Sequence, residues 1–346
     1  MRTLARVVAV STVITALSFA VTAAATRTTA GATSSGGNQT GRSAAASSGR
    51  ILFQSLAPGG GDTLYTMEQS GADVKRLELK VPGSATSPDW SPDGKRVTFT
   101  VQVGDSGSIW TADADGQNAE EVFHCAQACL GADYPAWSPD GRSIAFTYSN
   151  ADPPPTIGPP SGDSIRTIDL QTRKIRVVVR SKLPQLVDLA RWSPDGTRLV
   201  VERDRFSSDG SETGSRIEIV LVRDGRVRPL TPFAQFGFHP DWSPKGGLIT
   251  FDTYDLLAFR DRAPGASNLF TVRPDGTHRR QLTHFKPGGD RISAATFTPD
   301  GKRIMFTYQV GGSRKAGIIG KGGGGIETVV TGYSGFVTHP RLSRQR

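Results

Sequence analysis

Cysteine is nearly absent: the 346 residues contain two, Cys125 and Cys129, in the stretch FHCAQACLGADYPAW. A zinc site needs four ligands, or three and a water. Besides these two only His124 is close in sequence, so an even pair in an exported chain is expected to form a disulfide. No stretch after residue 50 shows the 3.6-residue apolar period of an amphipathic helix. A G-x-S-x-G nucleophile turn is missing, and so is any nucleic-acid-binding motif. The single apolar run, residues 7–21, is short for a membrane span.

That run has the layout of an export signal. Arg2 and Arg6 precede VVAVSTVITALSFAV (7–21), and Ala23, Ala24 and Ala25 offer a small-residue cleavage site. Residues 1–25 are read as a cleaved signal peptide, with an uncleaved anchor as the alternative. No cysteine follows the run, so a lipoprotein anchor has no attachment atom. Residues 26–49 hold Thr, Ser, Gly and Ala with almost no large apolar side chain, which predicts a disordered linker. These features point to a bacterial protein that is secreted or held in the periplasm or cell envelope. The net charge is +9. A basic exported protein favours anionic polymers or headgroups, but the basic residues are spread through the chain, and solubility alone accounts for them.

Five near-copies of one phrase punctuate the remainder. They are WSPDGKRVTF from Trp90, WSPDGRSIAF from Trp137, WSPDGTRLVV from Trp192, WSPKGGLITF from Trp242 and FTPDGKRIMF from Phe297, spaced 47, 55, 50 and 55 residues apart. A fixed period with a structural anchor in each unit marks a repeat architecture. Apolar residues alternate on both sides of Ser-Pro-Asp-Gly, where Pro presets φ and Gly takes a positive φ, so each phrase is strand–turn–strand. A second hairpin follows in each unit, as in IWTADADGQNAEEV (109–122) and LFTVRPDGTHRRQL (269–282). Four antiparallel strands per unit, repeated radially, make a β-propeller. ILFQS (51–55) and the strands after it lack a first strand of their own. FVTHPRLS (336–343) aligns with GFHPDWS (237–243) and supplies it. The expectation is an all-β, six-bladed propeller over residues 50–346, closed by its C-terminal strand joining the N-terminal blade.

The WSPDG-type phrase, preceded by x-P-x and followed by a DADG-type turn, resembles the TolB-like propeller repeat across residues 50–346. That resemblance implies a six-bladed ring with terminal closure. The small N-terminal α/β domain of the TolB family is missing.

The turns between first and second strands, and between third and fourth, are short and uniform. The other connections are long and differ in every blade, and function on rigid scaffolds collects on such loops. The binding face is therefore placed on that side, around the channel mouth, with Tyr134, Phe236, His239, Tyr254, Arg260, His284, Tyr333 and His339 as ligand-binding candidates. His239 and His339 occupy matching places in their repeats, where the other units carry Ser87, Tyr134, Leu189 and Ala294. The histidines bear a faint similarity to the TolB-like oligogalacturonate lyases, which hold a metal near the channel, although that family's full histidine set is not found. Asp93, Asp140, Asp195 and Asp300 are turn residues first, and Lys245 interrupts their series. The resulting expectation is an exported, non-catalytic binding scaffold, a monomer without cofactor, metal, catalytic residue or nucleic-acid partner. Its partner is an envelope protein or a cell-wall or acidic glycan, and after signal cleavage no membrane span remains. The alternative is a metal-dependent polysaccharide lyase-like enzyme.

Overall fold

The computed structural model describes residues 49–57, 60–126, 129–150, 162–208, 210–254, 266–287, 289–310, 313–329 and 335–343. The expected signal peptide, the linker except Gly49, the Pro-rich loop 152–160, Arg260 and Tyr333 lie outside them.

Six four-stranded antiparallel sheets account for every strand described. Blade 1 is β1 (Arg50–Leu56), β2 (Asp62–Glu68) and β3 (Lys75–Arg76), with an inner strand from the far end of the chain. Blade 2 is β4 (Ser84–Trp90), β5 (Arg96–Val103), β6 (Ser106–Asp113) and β7 (Glu120–Phe123). Blade 3 is β8 (Cys129–Trp137), β9 (Ser143–Asn150), β10 (Ser164–Asp169) and β11 (Ile175–Arg180). Blade 4 is β12 (Gln185–Trp192), β13 (Arg198–Phe206), β14 (Glu212–Leu221) and β15 (Val227–Pro229). Blade 5 is β16 (Gly237–Trp242), β17 (Ile249–Tyr254), β18 (Ser267–Val272) and β19 (Arg280–Gln281). Blade 6 is β20 (Arg291–Phe297), β21 (Arg303–Val310), β22 (Ser313–Gly320) and β23 (Glu327–Thr328). The last strand, β24 (Thr338–Leu342), pairs antiparallel with β1 and completes blade 1. Closure leaves no long unpaired inner edge, which is how a radial sheet array avoids edge-to-edge association.

The turn chemistry is repeated in detail. The Asp93 carboxylate accepts from Ser91 Oγ at 2.7 Å and from the Lys95 amide at 3.0 Å, while Gly94 sits at φ 67°. Asp140, Asp195 and Asp300 accept in the same way from Ser138, Ser193 and Thr298. Hydrogen bonds from Ser91 and the Lys95 amide hold the Asp93 carboxyl below the usual carboxylate range. In the fourth phrase Lys245 stands where the acceptor would be, although Gly246 keeps φ 72°.

The apolar core lies between blades. One cluster joins Ile51, Phe53 and Met67 of blade 1 to Met305 and Ile318 of blade 6, across the chain ends. Another joins Leu52 and Leu64 to Val97 and Phe99 of blade 2. Phe53, Phe99, Phe146, Phe251 and Phe306, on the second strands of their blades, are completely buried. Each contributes roughly 1.5–3 kcal/mol of transfer free energy. The anchors Trp137, Trp242 and Phe297 are buried, and Trp90 and Trp192 are half-buried. Trp90 Nε1 donates to the Arg341 carbonyl and Trp192 Nε1 to the Ala136 carbonyl, each at 3.1 Å and each in the preceding blade. Cys125 and Cys129 form a disulfide where the chain passes from β7 into β8.

Candidate functional site

The innermost strand of every blade breaks its register at an equivalent place, and β8 breaks a second time between Cys129 and Gly131. The breaks fall between Thr86 and Asp89, Asp133 and Ala136, Asp188 and Arg191, Phe238 and Asp241, and Ser293 and Thr296. Within each break sits one residue in the left-handed region: Ser87, Tyr134, Leu189, His239 and Ala294, with His339 on β24, all at φ between 48° and 53°. Left-handed backbone is costly for residues with a Cβ and persists only where its surroundings enforce it. The enforcement here comes from the neighbouring blade. In four of the six blades the amide freed by the bulge donates to a polar side chain on the second strand of the preceding blade. Ser87 donates to Gln54 Oε1 at 3.1 Å, Leu189 to Thr147 Oγ1 at 3.3 Å, His239 to Glu202 Oε2 at 2.9 Å and His339 to Thr307 Oγ1 at 3.1 Å. Bulges re-aim side chains next to sites, and these carry their residues around the channel.

His239 and His339 are brought together, with ring centroids 6.4 Å apart and the planes edge-on. His239 Nδ1 lies 3.1 Å from Asp252 Oδ1. His339 is half-buried with its Nδ1 shielded from solvent, and desolvation, helped by the charge of His239, lowers its pKa to about 3. His284 is apart in the connection after β19 and is exposed. Tyr254 and Phe236 form a separate group, because the Tyr254 amide donates to the Phe236 carbonyl at 3.2 Å. Arg291 Nη1 in turn donates to Tyr254 Oη at 3.2 Å. Phe236 is buried, as are Phe206 and Phe238, so these aromatic side chains pack instead of facing solvent.

Sequence reasoning missed the main chemical feature of this mouth, which is its acidity. Glu202 and Asp204 stand two residues apart on β13 and so face the same side of the strand. Asp133, Asp163, Asp188 and Glu212 are close enough to repel them or one another. Burial, followed by repulsion from Asp188, pushes the Asp133 carboxyl up to about 6 and Asp163 to about 7. Asp204 rises to about 7 mainly through burial. Burial and Asp204 raise Glu212 to about 9. Glu202 is raised by burial and then by Asp204. Asp204 Oδ1 and Glu212 Oε1 are buried without a hydrogen-bond partner among the described residues. The intervening arginines point elsewhere: Arg203 Nε is 2.6 Å from Glu218 Oε2, and Arg205 lies over the Phe233 ring at 4.6 Å. The signal was present in VERDRF, since two acids alternate only here: the places of Glu202 and Asp204 hold Gln54 and Leu56, Thr100 and Gln102, Thr147 and Ser149, Asp252 and Tyr254, and Thr307 and Gln309 in the other blades.

A crowd of carboxyls sharing protons is an electrostatic receptor for positive charge. An entering ammonium or guanidinium would lower every one of these pKa values and be held by the ionised forms. Among the described residues no three His, Cys, Asp or Glu side chains are grouped as metal donors, and no helix is long and apolar enough to cross a membrane.

No protein-family model matches the chain. A 121-residue stretch, 35% of the chain, is 27% identical to an uncharacterized peptidase, YuxL, of Bacillus subtilis, covering 17% of that protein. A 102-residue stretch, 29% of the chain, is 35% identical to the Tol-Pal system protein TolB of Gluconobacter oxydans, covering 19% of it. The chain thus matches less than a fifth of either relative's length. In structure it resembles TolB from Acinetobacter baumannii, with TM-score 0.64 and 20% identity over 85% of this chain and 66% of that one. It also resembles a putative TolB from Agrobacterium tumefaciens, with TM-score 0.58 and 17% identity over 86% and 98%. An oligogalacturonate lyase from Vibrio parahaemolyticus superposes at TM-score 0.50 and 14% identity over 82% and 73%. Sheet topology, ring closure and these likenesses agree that the chain has the fold of a TolB-like six-bladed β-propeller.

Proposed function

We propose that this protein is an exported, non-catalytic binding propeller of the cell envelope, and that its acidic channel mouth receives a positively charged segment of a partner protein. The observation that carries the reading is the convergence of Asp133, Asp163, Asp188, Glu202, Asp204 and Glu212 with raised pKa values. In a chain of net charge +9 this concentration of carboxyl groups is a local exception. It favours lysine or arginine side chains over an acidic glycan, which the mouth would repel. The Gluconobacter relative is a Tol-Pal system protein, and a role among other proteins is the part of that description carried over here. Residues 1–25 serve as the cleaved signal and 26–49 as the tether in this reading.

The test is fluorescence anisotropy with a labelled Lys/Arg-rich peptide and an acidic control. Binding of the basic peptide should strengthen as pH rises from 5 to 8, weaken with salt, and fall about tenfold or more in Asp188→Asn with Asp204→Asn. Equal binding of the acidic peptide, or no effect of the two substitutions, would remove the proposal.

The second reading, a metal-dependent polysaccharide lyase-like enzyme, rests on the facing His239 and His339 rings. Metal analysis of the purified protein decides it: a stoichiometric ion lost in His239→Ala supports that reading.

A further inference from the structure

The opposite mouth of the channel, at the Ser-Pro-Asp-Gly turns, opens into a cavity of about 180 Å³. Trp90, Trp137, Trp192, Trp242, Phe297 and Leu342, one anchor from each blade, form its wall. The residue just before each anchor also lines it. From blade 1 to blade 6 these are Arg341, Asp89, Ala136, Arg191, Asp241 and Thr296. The order has a two-fold pattern: arginine in blades 1 and 4, aspartate in blades 2 and 5, a small residue in blades 3 and 6. The two arginines therefore face each other across the ring.

Both arginines are buried, Arg191 at 5% exposure and Arg341 at 7%. Neither is paired. No carboxylate among the described residues comes within ion-pair distance of either guanidinium. The aspartates serve the joints between blades instead. Asp89 Oδ2 accepts from the Trp137 amide at 3.1 Å. Asp241 Oδ2 accepts from the Phe297 amide and from Thr296 Oγ1, both at 2.9 Å. Arg191 donates once, from Nη1 to the Ala190 carbonyl at 3.1 Å. The Nε of both arginines is buried with no acceptor among the described residues. Burial, and then the charge of Arg341, lowers the Arg191 pKa to about 10. Buried cationic donors without acceptors are costly, and a guanidinium fork matches the geometry of an oxyanion.

We propose that Arg191 and Arg341 form an oxyanion-binding site, in which a single small anion lies between the two guanidiniums inside the cage of anchor side chains. The chemistry is shared by a free phosphate and by a carboxylate borne on a small ligand. An anion there supplies the missing acceptors and screens the two like charges from each other. The indole walls lower the local dielectric and strengthen both interactions.

The experiment uses the full chain in sodium chloride, with inorganic phosphate or acetate added at constant ionic strength. A saturable rise in Tm above the chloride baseline is expected, since a ligand that binds only the folded state stabilises it. Calorimetric titration should give one site per chain, weakened about tenfold or more in Arg191→Gln and in Arg341→Gln. Ala136→Asp keeps the test decisive if the arginine variants fail to fold. Blades 2 and 5 already hold aspartate at this ring position, so the fold accommodates it, and the new carboxylate fills the site from within and abolishes binding. A response to phosphate alone identifies a free inorganic anion; a response to acetate alone identifies a carboxylate ligand. No response above chloride in the wild type, or unchanged binding in Ala136→Asp, overturns the proposal.

Discussion

Trp90 Nε1 donates to the carbonyl of Arg341 at 3.1 Å, and these two residues are 251 positions apart in the chain. The bond ties the second blade to the strand that closes the first. Trp137 occupies the same place one blade on, yet its Nε1 is buried without a partner among the described residues. Trp90→Phe should therefore cost about 1 kcal/mol more than Trp137→Phe, because only the first removes a made hydrogen bond. Urea unfolding of the two variants measures the difference, and equal costs would contradict it.

Closure by β24 predicts strong dependence on the last strand. Val337 and Pro340 are buried, and β24 supplies the inner edge of blade 1. Deleting residues 336–346 should destabilise the ring by more than about 4 kcal/mol, in the range reserved for loss of whole packing units. A synthetic peptide of residues 336–343 added in trans should recover part of the loss in a thermal melt. A truncated chain that melts like the full one would mean that the closure contributes little.

The fourth turn lacks the carboxylate that the others use. Ser243 Oγ already accepts from the Leu248 amide at 3.0 Å, so the turn is shaped to receive an acceptor at position 245. Lys245→Asp is expected to stabilise by about 1 kcal/mol, and Asp93→Ala to destabilise by a similar amount. Denaturant midpoints at pH 7 provide the comparison.

The acidic mouth sets a pH dependence of defined sign. Asp133, Asp163 and Asp204 have folded-state pKa values of about 6, 7 and 7, above the ordinary aspartate value of 3.8. The folded state therefore binds more protons than the unfolded one. Their favourable contribution is complete below pH 4 and is lost as pH rises through 6 to 7. His339, lowered to about 3, acts oppositely: its contribution is present above pH 6.5 and is lost as pH falls toward 3. Asp204→Asn should raise stability at pH 8 by about 1–3 kcal/mol and flatten the loss between pH 4 and 7. Chemical unfolding across pH 4–8 shows whether the slope changes.

The repeat, the blade number, the turn type and the circular closure could be read from one chain because each follows from local chemistry. Ser-Pro-Asp-Gly sets its own dihedral angles, alternation sets the strand faces, and the orphan strand FVTHPRLS had a single vacancy to fill. The matching of His239 and His339 with Ser87, Tyr134, Leu189 and Ala294 was also visible, because equal spacing from an anchor means an equal place in a blade. What those residues do there was not visible. Their left-handed backbone depends on Gln54, Thr147, Glu202 and Thr307 reaching across from another blade. Phe236, expected on a binding face, turned inward. Charge was the least legible property. Glu202 with Asp204, and Arg191 with Arg341, gained their character only when the ring brought blades together, removed water and withheld partners. Dihedral preference belongs to a few neighbouring residues and survives in a linear sequence; burial and electrostatic potential are sums over atoms that only the closed ring makes neighbours.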